Sequence, residues 1–200
     1  MYRLYDSAIS GNAYKVRLLL HKLSLPVVRI EMNVDDGSTR QADFLSRNPV
    51  GQVPVLELGD GSFLAQSNAI LVYLAEGTRF WPGDRLTRAQ ALQWMFFEQY
   101  NHEPTIAVVR HWVAHLGKTP ENEPLLPAKI AGGYRALGVM ETHLKAHDFF
   151  AGRSFSVADI ALYAYSHVAE EGGFDLSPYP ALRAWLKRVA ADDRHLAITD

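Results

Sequence analysis

The chain has 200 residues, of which 48% are hydrophobic and 21% charged, and its net charge is −2, as in ordinary globular domains. Both signs of charge are interspersed without a basic stripe, which argues against nucleic acid or an anionic membrane as partner. The absence of cysteine excludes disulfides, thiolate metal sites and a cysteine nucleophile. The N-terminus lacks a signal-peptide pattern and no apolar run has membrane-spanning length, so we expect a cytoplasmic protein.

The first 76 residues predict alternating strands and helices in the order βαβαββα. Short β-branched or aromatic runs predict strands near residues 2–5, 27–32, 55–58 and 63–65, and helical spacing of apolar residues predicts the helices. The first βαβ unit requires a parallel strand pair with a right-handed crossover. The Gly-Asp-Gly turn at 59–61 joins the last two strands as an antiparallel hairpin. A mixed four-stranded sheet with helices on its faces is therefore expected.

Residues 77–84 contain Pro82 and Gly83 without periodicity, and we interpret them as a linker. Residues 85–200 carry only helical patterns, so the predicted fold class is α+β with an all-α second domain. Pro104 is expected to kink or break the first long helix of that domain. Ser156 followed three residues later by Asp159 predicts a capping box, with a structural role for Asp159.

The segment 48–67, NPVGQVPVLELGDGSFLAQS, combines several features of a ligand site. Pro54 precedes the third strand, and a cis Val53-Pro54 bond would leave the main-chain groups of Val53 facing outward. Gln66 and Ser67 open the next helix, whose N-terminus has unsatisfied N–H groups. We therefore expect this segment to bind an extended, peptide-like ligand.

This segment, the βαβαββα order, the aromatic helical second half and the SVADIAL capping box together resemble the cytosolic glutathione S-transferase family. The resemblance covers nearly the whole chain and is strongest to bacterial and serine-type (zeta-, theta- and nu-like) members. It implies a thioredoxin-like glutathione-binding domain at 1–76, a linker at 77–84, and an all-helical domain at 85–200 that shapes the electrophile pocket. It also implies a homodimer, no metal, and a role in detoxification.

The resemblance assigns the glutathione-binding residues. Val53, before cis-Pro54, is expected to pair its backbone with the cysteinyl portion, and Gln52 to lie near the glycyl end. Ser67 is expected to donate its hydroxyl and backbone N–H to the γ-glutamyl carboxylate, with Gln66 also bonding that moiety. Because many relatives have an acid in place of Gln66, the ligand ammonium needs another acid, for which Glu98 or Glu103 from a partner subunit is a candidate. Ser67 is alternatively a simple N-cap.

Catalysis requires stabilisation of the glutathione thiolate, since a free thiol has a pKa of roughly 8.5. Ser10 aligns with the activating serine of serine-type relatives, while Asn12 in the first helical turn is the rival donor. Ser7 is a weaker third option. For Ser10 and Asn12, the spacing alone supports simple N-capping of the first helix as well as it supports catalysis. Within the helical domain, Tyr100, His102 and Arg110 are expected to line the second-substrate pocket together with Tyr14.

We therefore expect a glutathione transferase that joins the thiolate of glutathione to a small electrophile, or uses the thiolate to reduce one. A protein of the same fold that binds or assembles without turnover is the first alternative. Glutathione-dependent disulfide or peroxide reduction is the second, and without cysteine it would depend on the glutathione sulfur alone.

Overall fold

The computed structural model describes all 200 residues. They form two compact units, the first made of Met1–Thr78 with Asp193–Asp200 and the second of Arg79–Asp192. No helix combines the length and apolarity that crossing a membrane requires.

The first unit confirms the predicted βαβαββα order. Its elements are β1 (Tyr2–Asp6), α1 (Gly11–Lys22), β2 (Val27–Glu31), α2 (Ala42–Arg47), β3 (Val55–Glu57), β4 (Phe63–Ala65) and α3 (Ser67–Ala75). A 3-10 turn at Ser38–Arg40 precedes α2. The sheet order is β2-β1-β3-β4, with β1 parallel to β2 and antiparallel to β3, and with β3 antiparallel to β4. The mixed four-stranded sheet is thus as expected.

The alternation of side chains along the strands gives this sheet two buried faces. Leu4 and Leu56 are paired across β1 and β3 and have no exposed surface. Their neighbours Tyr5 and Val55 point to the opposite face, where they form a cluster with Phe44 of α2. Helices α1 and α3 contact each other and supply further fully buried residues: Val16, Leu18, Leu19, Ile70 and Leu71.

The last eight residues return to the first unit, whereas we expected the helical domain to extend to residue 200. Their backbone oxygens accept hydrogen bonds from side chains of α1 and β2. The pairs are Lys22 Nζ with Asp193 (2.8 Å), Tyr14 Oη with Leu196 (2.6 Å), Arg17 Nη2 with Ile198 (2.7 Å) and Arg29 Nη1 with Asp200 (2.7 Å). Side-chain donors that bind main-chain oxygens impose no sequence pattern on the segment they hold, so this return was not predictable.

The second unit is helical, with elements α4 (Arg85–Phe97), α5 (Val108–Arg110), α6 (Leu126–Leu144), α7 (Val157–Ser166) and α8 (Pro180–Ala190). Two π-helical segments, Glu98–Ala107 and His111–Leu116, make α4 and α5 one continuous helical stretch. We expected a kink or a break at Pro104, and the break does not occur, because Pro104 lies within the first π segment. The wider π turn accommodates a residue that has no N–H and crowds the preceding turn.

Asp159 at the start of α7 has the structural role predicted for it. The capping box with Ser156 is complete, since the Asp159 carboxylate accepts bonds from the Ser156 backbone N–H (2.9 Å) and hydroxyl (3.1 Å). It also accepts from Phe150 N (3.1 Å) and from Trp185 Nε1 of α8 (3.0 Å). One carboxylate therefore connects α7, α8 and the segment before α7.

Complete burial raises the pKa of Asp159 from 3.8 to about 6, although the donated hydrogen bonds act in the lowering direction. Because the folded-state pKa lies above the unfolded value, this group's contribution to stability is greatest below pH 3.8 and is lost as the pH rises through 6. We expect wild type to lose about 2–3 kcal/mol relative to Asp159→Asn as the pH rises from about 4 to about 7. Urea unfolding at both pH values measures this difference.

The control for this experiment is Asp60→Asn. Asp60 is exposed, and the bonds that Ser62 donates to it lower the pKa of its carboxyl, so its pH dependence has the opposite sign. If the stabilities of wild type and Asp159→Asn change in parallel between these pH values, the raised pKa of Asp159 is contradicted.

Candidate functional site

Three segments that carry predicted site residues meet at one end of the sheet. Strand β3 pairs Val55 with Tyr5 of β1 and with Ala65 of β4. Val53 lies two residues before Val55, and Ser67 lies two residues after Ala65. Because β3 and β4 are antiparallel, both residues lie at the same end of the sheet. The chain leaving β1 toward Ser10 exits there as well, because β1 and β3 are antiparallel. The sheet topology therefore brings Ser10, Val53 and Ser67 to one edge.

The N-termini of two helices, α1 and α3, begin at this edge. Helix α1 begins at Gly11 shortly after β1, and α3 begins at Ser67 directly after β4. A helix N-terminus carries a partial positive charge and N–H groups without intrahelical partners. The edge is therefore suited to anionic groups such as a carboxylate or a thiolate.

The Val53-Pro54 peptide bond is cis, as predicted. The loop before it is held by Asn48, which is buried and whose Nδ2 donates to Gln52 O (2.8 Å) while its Oδ1 accepts from Val50 N (3.1 Å). The side chain of Gln52 is exposed and Val53 is half-buried. Pro54 is buried. Of the three predicted glutathione-binding residues around the cis bond, Gln52 and Val53 are therefore the accessible ones.

Position 51 requires glycine, because a side chain there would be strained and would collide with neighbouring atoms. Its φ of +67° favours glycine, and an added Cβ would lie 2.8 Å from both Thr39 O and Arg40 Nη1. Arg40 Nη1 in turn donates to Val50 O (2.8 Å), so its guanidinium binds the loop backbone. The close approach of 39–40 to 50–51 thus shapes the chain just before Val53.

Ser67 bonds to another helix rather than capping its own. It is the first residue of α3, and the N-cap position belongs to Gln66, whose side chain makes no cap bond. Ser67 Oγ donates to Asn12 Oδ1 of α1 at 3.0 Å, and Lys15 Nζ donates to the same Asn12 oxygen at 2.8 Å. The alternative that Ser67 is only an N-cap is therefore wrong.

The backbone of Gln66 has an unusual conformation. Its φ of 70° with ψ of 111° lies outside the regions that non-glycine residues ordinarily populate. Such conformations cost about 1–3 kcal/mol and concentrate at functional sites. Gln66 is exposed, and its conformation turns the chain abruptly from β4 into α3. Ser67 and the first N–H groups of α3 therefore lie at the sheet edge, where Ser67 itself is 5% exposed.

Ser10 and Asn12 have different surroundings. Ser10 is the N-cap of α1, where its Oγ accepts from Ala13 N at 3.2 Å and keeps its own proton for donation. Asn12 Oδ1 accepts from both Ser67 and Lys15, which fixes the orientation of its amide. Ser10 therefore has the capping role that was one of the two roles expected for it. Asn12 does not cap α1 but is bonded to Ser67 of α3.

The prediction that Tyr14 lines the second-substrate pocket is wrong. Tyr14 has no exposed surface, and its hydroxyl is bonded to Leu196 O. Nearby, the buried Arg17 forms an ion pair with the buried carboxylate of Asp6 at 2.6 Å. This side of α1 packs beneath the C-terminal segment and is unavailable to a substrate.

Two of the three pocket candidates in the helical unit are also contradicted. His102 has no exposed surface, and its Nε2 lies 2.8 Å from Ser166 Oγ. Arg110 is 5% exposed and forms an ion pair with Glu171 at 2.7 Å. Both side chains are therefore engaged inside the helical unit and do not face a substrate. Tyr100 is 86% exposed and stays a prediction.

Of the two acids considered for the ligand ammonium, Glu98 is fully buried, which removes it as a group reaching into a partner subunit. Glu103 is half-buried and stays a candidate. No cluster of three or more His, Cys, Asp or Glu side chains has an arrangement that could hold a metal ion.

Sequence reasoning missed Lys15, the cation at the Asn12–Ser67 contact. Lys15 follows Asn12 by three residues and therefore lies on the same face of α1. A lysine within the apolar run from Ala13 to Leu20 was the available signal, since lysine is rarely fully buried without a partner.

Comparison with known proteins identifies the class to which this fold and edge belong. The glutathione S-transferase N-terminal domain model matches residues 1–76, and the C-terminal domain model matches residues 105–193. Together these matches span most of the chain. The chain belongs to the glutathione S-transferase family, with a thioredoxin-like first domain and a helical second domain.

Individual relatives agree with this assignment. A crystal structure of glutathione S-transferase from Pseudomonas fluorescens Pf-5 is 47% identical, with a TM-score of 0.97 over 100% of this chain and 99% of that one. Glutathione S-transferase D7 of Anopheles gambiae is 32% identical over 92% of this chain and 84% of its own length. A glutathione transferase from Burkholderia graminis with two bound glutathione molecules per subunit is 26% identical, with a TM-score of 0.83 over 96% of this chain and 85% of that one. The protein is accordingly a glutathione transferase.

The geometry of the loop before Val53 yields a stability prediction. Gly51→Ala combines a left-handed φ with a close contact to backbone, whereas Gly61→Ala has φ +86° with nothing within 4 Å. We expect Gly51→Ala to destabilise the protein by about 1–3 kcal/mol more than Gly61→Ala. Urea unfolding of both variants beside wild type measures the difference, and equal losses would show that the contact with Thr39 is unimportant.

Proposed function

We propose that glutathione binds along the sheet edge from Gln52 to Ser67. The backbone of Val53 pairs with the cysteinyl portion, Gln52 approaches the glycyl end, and Gln66 with Ser67 binds the γ-glutamyl end. The observation that carries this proposal is the common location of Val53 and Ser67, each two residues beyond the paired Val55 and Ala65. The backbone groups of an extended tripeptide repeat at strand intervals, so one part of it can pair with the main chain of Val53 while its end reaches the N-terminus of α3.

In this proposal Ser10 stabilises the thiolate and Asn12 positions Ser67. Ser10 Oγ uses one lone pair to accept from Ala13 N, so its proton is available to a sulfur anion at the N-terminus of α1. Asn12 Oδ1 is engaged by two donors, and its bond to Ser67 holds the first turn of α3. Of the two candidate donors, the proposal therefore makes Ser10 the catalytic residue and Asn12 a positioning residue.

The reaction is nucleophilic attack by the glutathione sulfur on a small electrophile. The thiol loses its proton to solvent, and the sulfur then forms a bond to a carbon atom of the electrophile. In a substitution a leaving group departs with the electron pair of its bond. In an addition to an activated double bond, the neighbouring carbon takes up a proton from solvent. The enzyme contributes proximity and stabilisation of the anion, without a covalent enzyme intermediate. The proposal also includes a cytoplasmic location and a role in detoxification, both supported by the resemblance to cytosolic members of the family.

A homodimer is the oligomeric state that we propose, and the surface of the helical unit supports it. Leu92, Phe96 and Tyr100 follow at intervals of four along α4 and the next segment, and they are 36%, 71% and 86% exposed. Residues four apart lie on one face of a helix, so they form an apolar stripe. Burial of such a stripe against a second copy would remove apolar area from water.

Ser10→Ala tests the thiolate assignment. We expect it to raise the pKa of the bound glutathione thiol by about 1–2 and to lower kcat/KM roughly 10–100-fold, the value of one hydrogen bond to a charged group. The ultraviolet absorbance of the thiolate, followed over a pH titration of the complex, gives that pKa directly. Electrophile conjugation at saturating glutathione gives the rate.

Two further variants make this test specific. Ser154→Ala removes an exposed serine of the second unit and should leave both quantities unchanged. Asn12→Ala should weaken glutathione binding while the bound thiol keeps its wild-type pKa. The reverse pattern, in which Asn12→Ala raises that pKa and Ser10→Ala does not, would assign the thiolate to Asn12.

The apolar stripe gives a prediction about association. Phe96→Glu introduces a charge at its centre and should shift the protein from dimer to monomer in sedimentation velocity. Val139→Glu, at a residue of α6 that is 48% exposed, serves as the control and should leave the dimer intact. A dimer that survives Phe96→Glu would place the interface elsewhere.

A further inference from the structure

Lys15 is a fully buried cation beside the proposed γ-glutamyl subsite. Its Nζ donates to Asn12 Oδ1 at 2.8 Å and lies 3.5 Å from Ser67 Oγ, and the residue has no exposed surface. Removing an ammonium group from water is strongly unfavourable unless its bonds are replaced. Its bonds to Asn12 and Ser67 replace part of that hydration, and the groups around it give a functional reason for a charge beneath the first turn of α3.

The hydrogen bonds around Asn12 indicate one part of that reason. Ser67 has a single hydroxyl proton, which it donates to Asn12 Oδ1. To donate to a ligand carboxylate, Ser67 must turn that proton away from Asn12. Lys15 keeps Asn12 Oδ1 bonded in either orientation, so Ser67 can exchange partners without stranding a polar atom.

The second part is electrostatic. A carboxylate bound to Ser67 would lie roughly 6 Å from Lys15 Nζ. At an effective dielectric constant of about 20, the attraction between the two charges would raise the affinity for the ligand about tenfold or more. The partial charge at the N-terminus of α3 acts in the same direction. Ligands that lack this carboxylate would gain nothing from the charge of Lys15 or from the N-terminus of α3.

We propose that Lys15 is a positioning residue that makes this site select ligands carrying a carboxylate at the γ-glutamyl end. The proposal rests on the proposed function, because it assigns that carboxylate to Ser67. It predicts that Lys15 determines glutathione affinity and ligand choice, whereas the chemical step depends on Ser10.

The test compares two ligands by calorimetry: glutathione, and the analogue in which γ-aminobutyrate replaces the γ-glutamyl residue and so lacks the α-carboxylate. Wild type should prefer glutathione by about tenfold or more, and Lys15→Met should lose most of that preference while binding the analogue within about twofold of wild type. Lys22→Met is the matched control, since Lys22 is also buried on α1 but donates to Asp193 O. It should keep the wild-type preference.

Kinetics provide a second readout that a merely structural role would not give. With Lys15→Met, the KM for glutathione should rise about tenfold, while kcat at saturating glutathione should change by less than about threefold. Lys15→Gln, which retains a donor toward Asn12 but no charge, should lie between wild type and Lys15→Met in ligand preference.

Several results would overturn the assignment of Lys15. These are wild-type affinities in Lys15→Met, equal losses for both ligands, or unfolding of both Lys15 variants in circular dichroism, which would make Lys15 a requirement of the fold. A wild-type protein that binds neither ligand would instead contradict the proposed function itself.

Discussion

The hydrogen bond between Ser67 and Asn12 is the contact on which the account of this site depends. It joins the first turn of α3 to the first turn of α1, two helices that are separated by more than 40 residues of chain but begin at the same edge of the sheet. Both N-termini are thereby held at fixed positions beside Val53. A ligand with one anionic group at each helix could then be bound without rearrangement of the backbone, and such preorganisation reduces the free energy lost on binding.

Features around this contact keep the edge in place. Asn48 and Gly51 shape the loop before Val53, and the unusual backbone of Gln66 turns β4 directly into α3. Behind α1, Tyr14 and Arg17 bind the backbone of the returning C-terminal segment. The side of α1 that faces away from the edge is thus closed, while Ser10 and Asn12 on its first turn stay partly accessible. In the other unit, Asp159 plays a comparable role by joining the start of α7 to α8.

The sequence predicted the fold where local chemistry determines structure, and the glutathione-binding roles of the edge residues stay predictions. The strand and helix order, the hairpin at 59–61 and the capping box at Ser156 all follow from signals confined to a few residues, whereas the cis bond before Pro54 was a hypothesis that the structure confirms. The prediction was wrong where long-range packing decides. Tyr14, His102 and Arg110 are polar side chains whose burial depends on distant partners, respectively Leu196, Ser166 and Glu171. The bond between Ser67 and Asn12 likewise joins residues that are 55 positions apart in the chain, so no local pattern shows it.

A crystal structure of the protein with glutathione tests the central claim most directly. We predict that Ser10 Oγ lies within hydrogen-bond distance of the glutathione sulfur and that the γ-glutamyl carboxylate contacts Ser67 Oγ and the N–H groups at the start of α3. The main-chain groups of Val53 should pair with the cysteinyl residue. A sulfur next to Asn12 and remote from Ser10, or a carboxylate bound away from Ser67, would contradict the account.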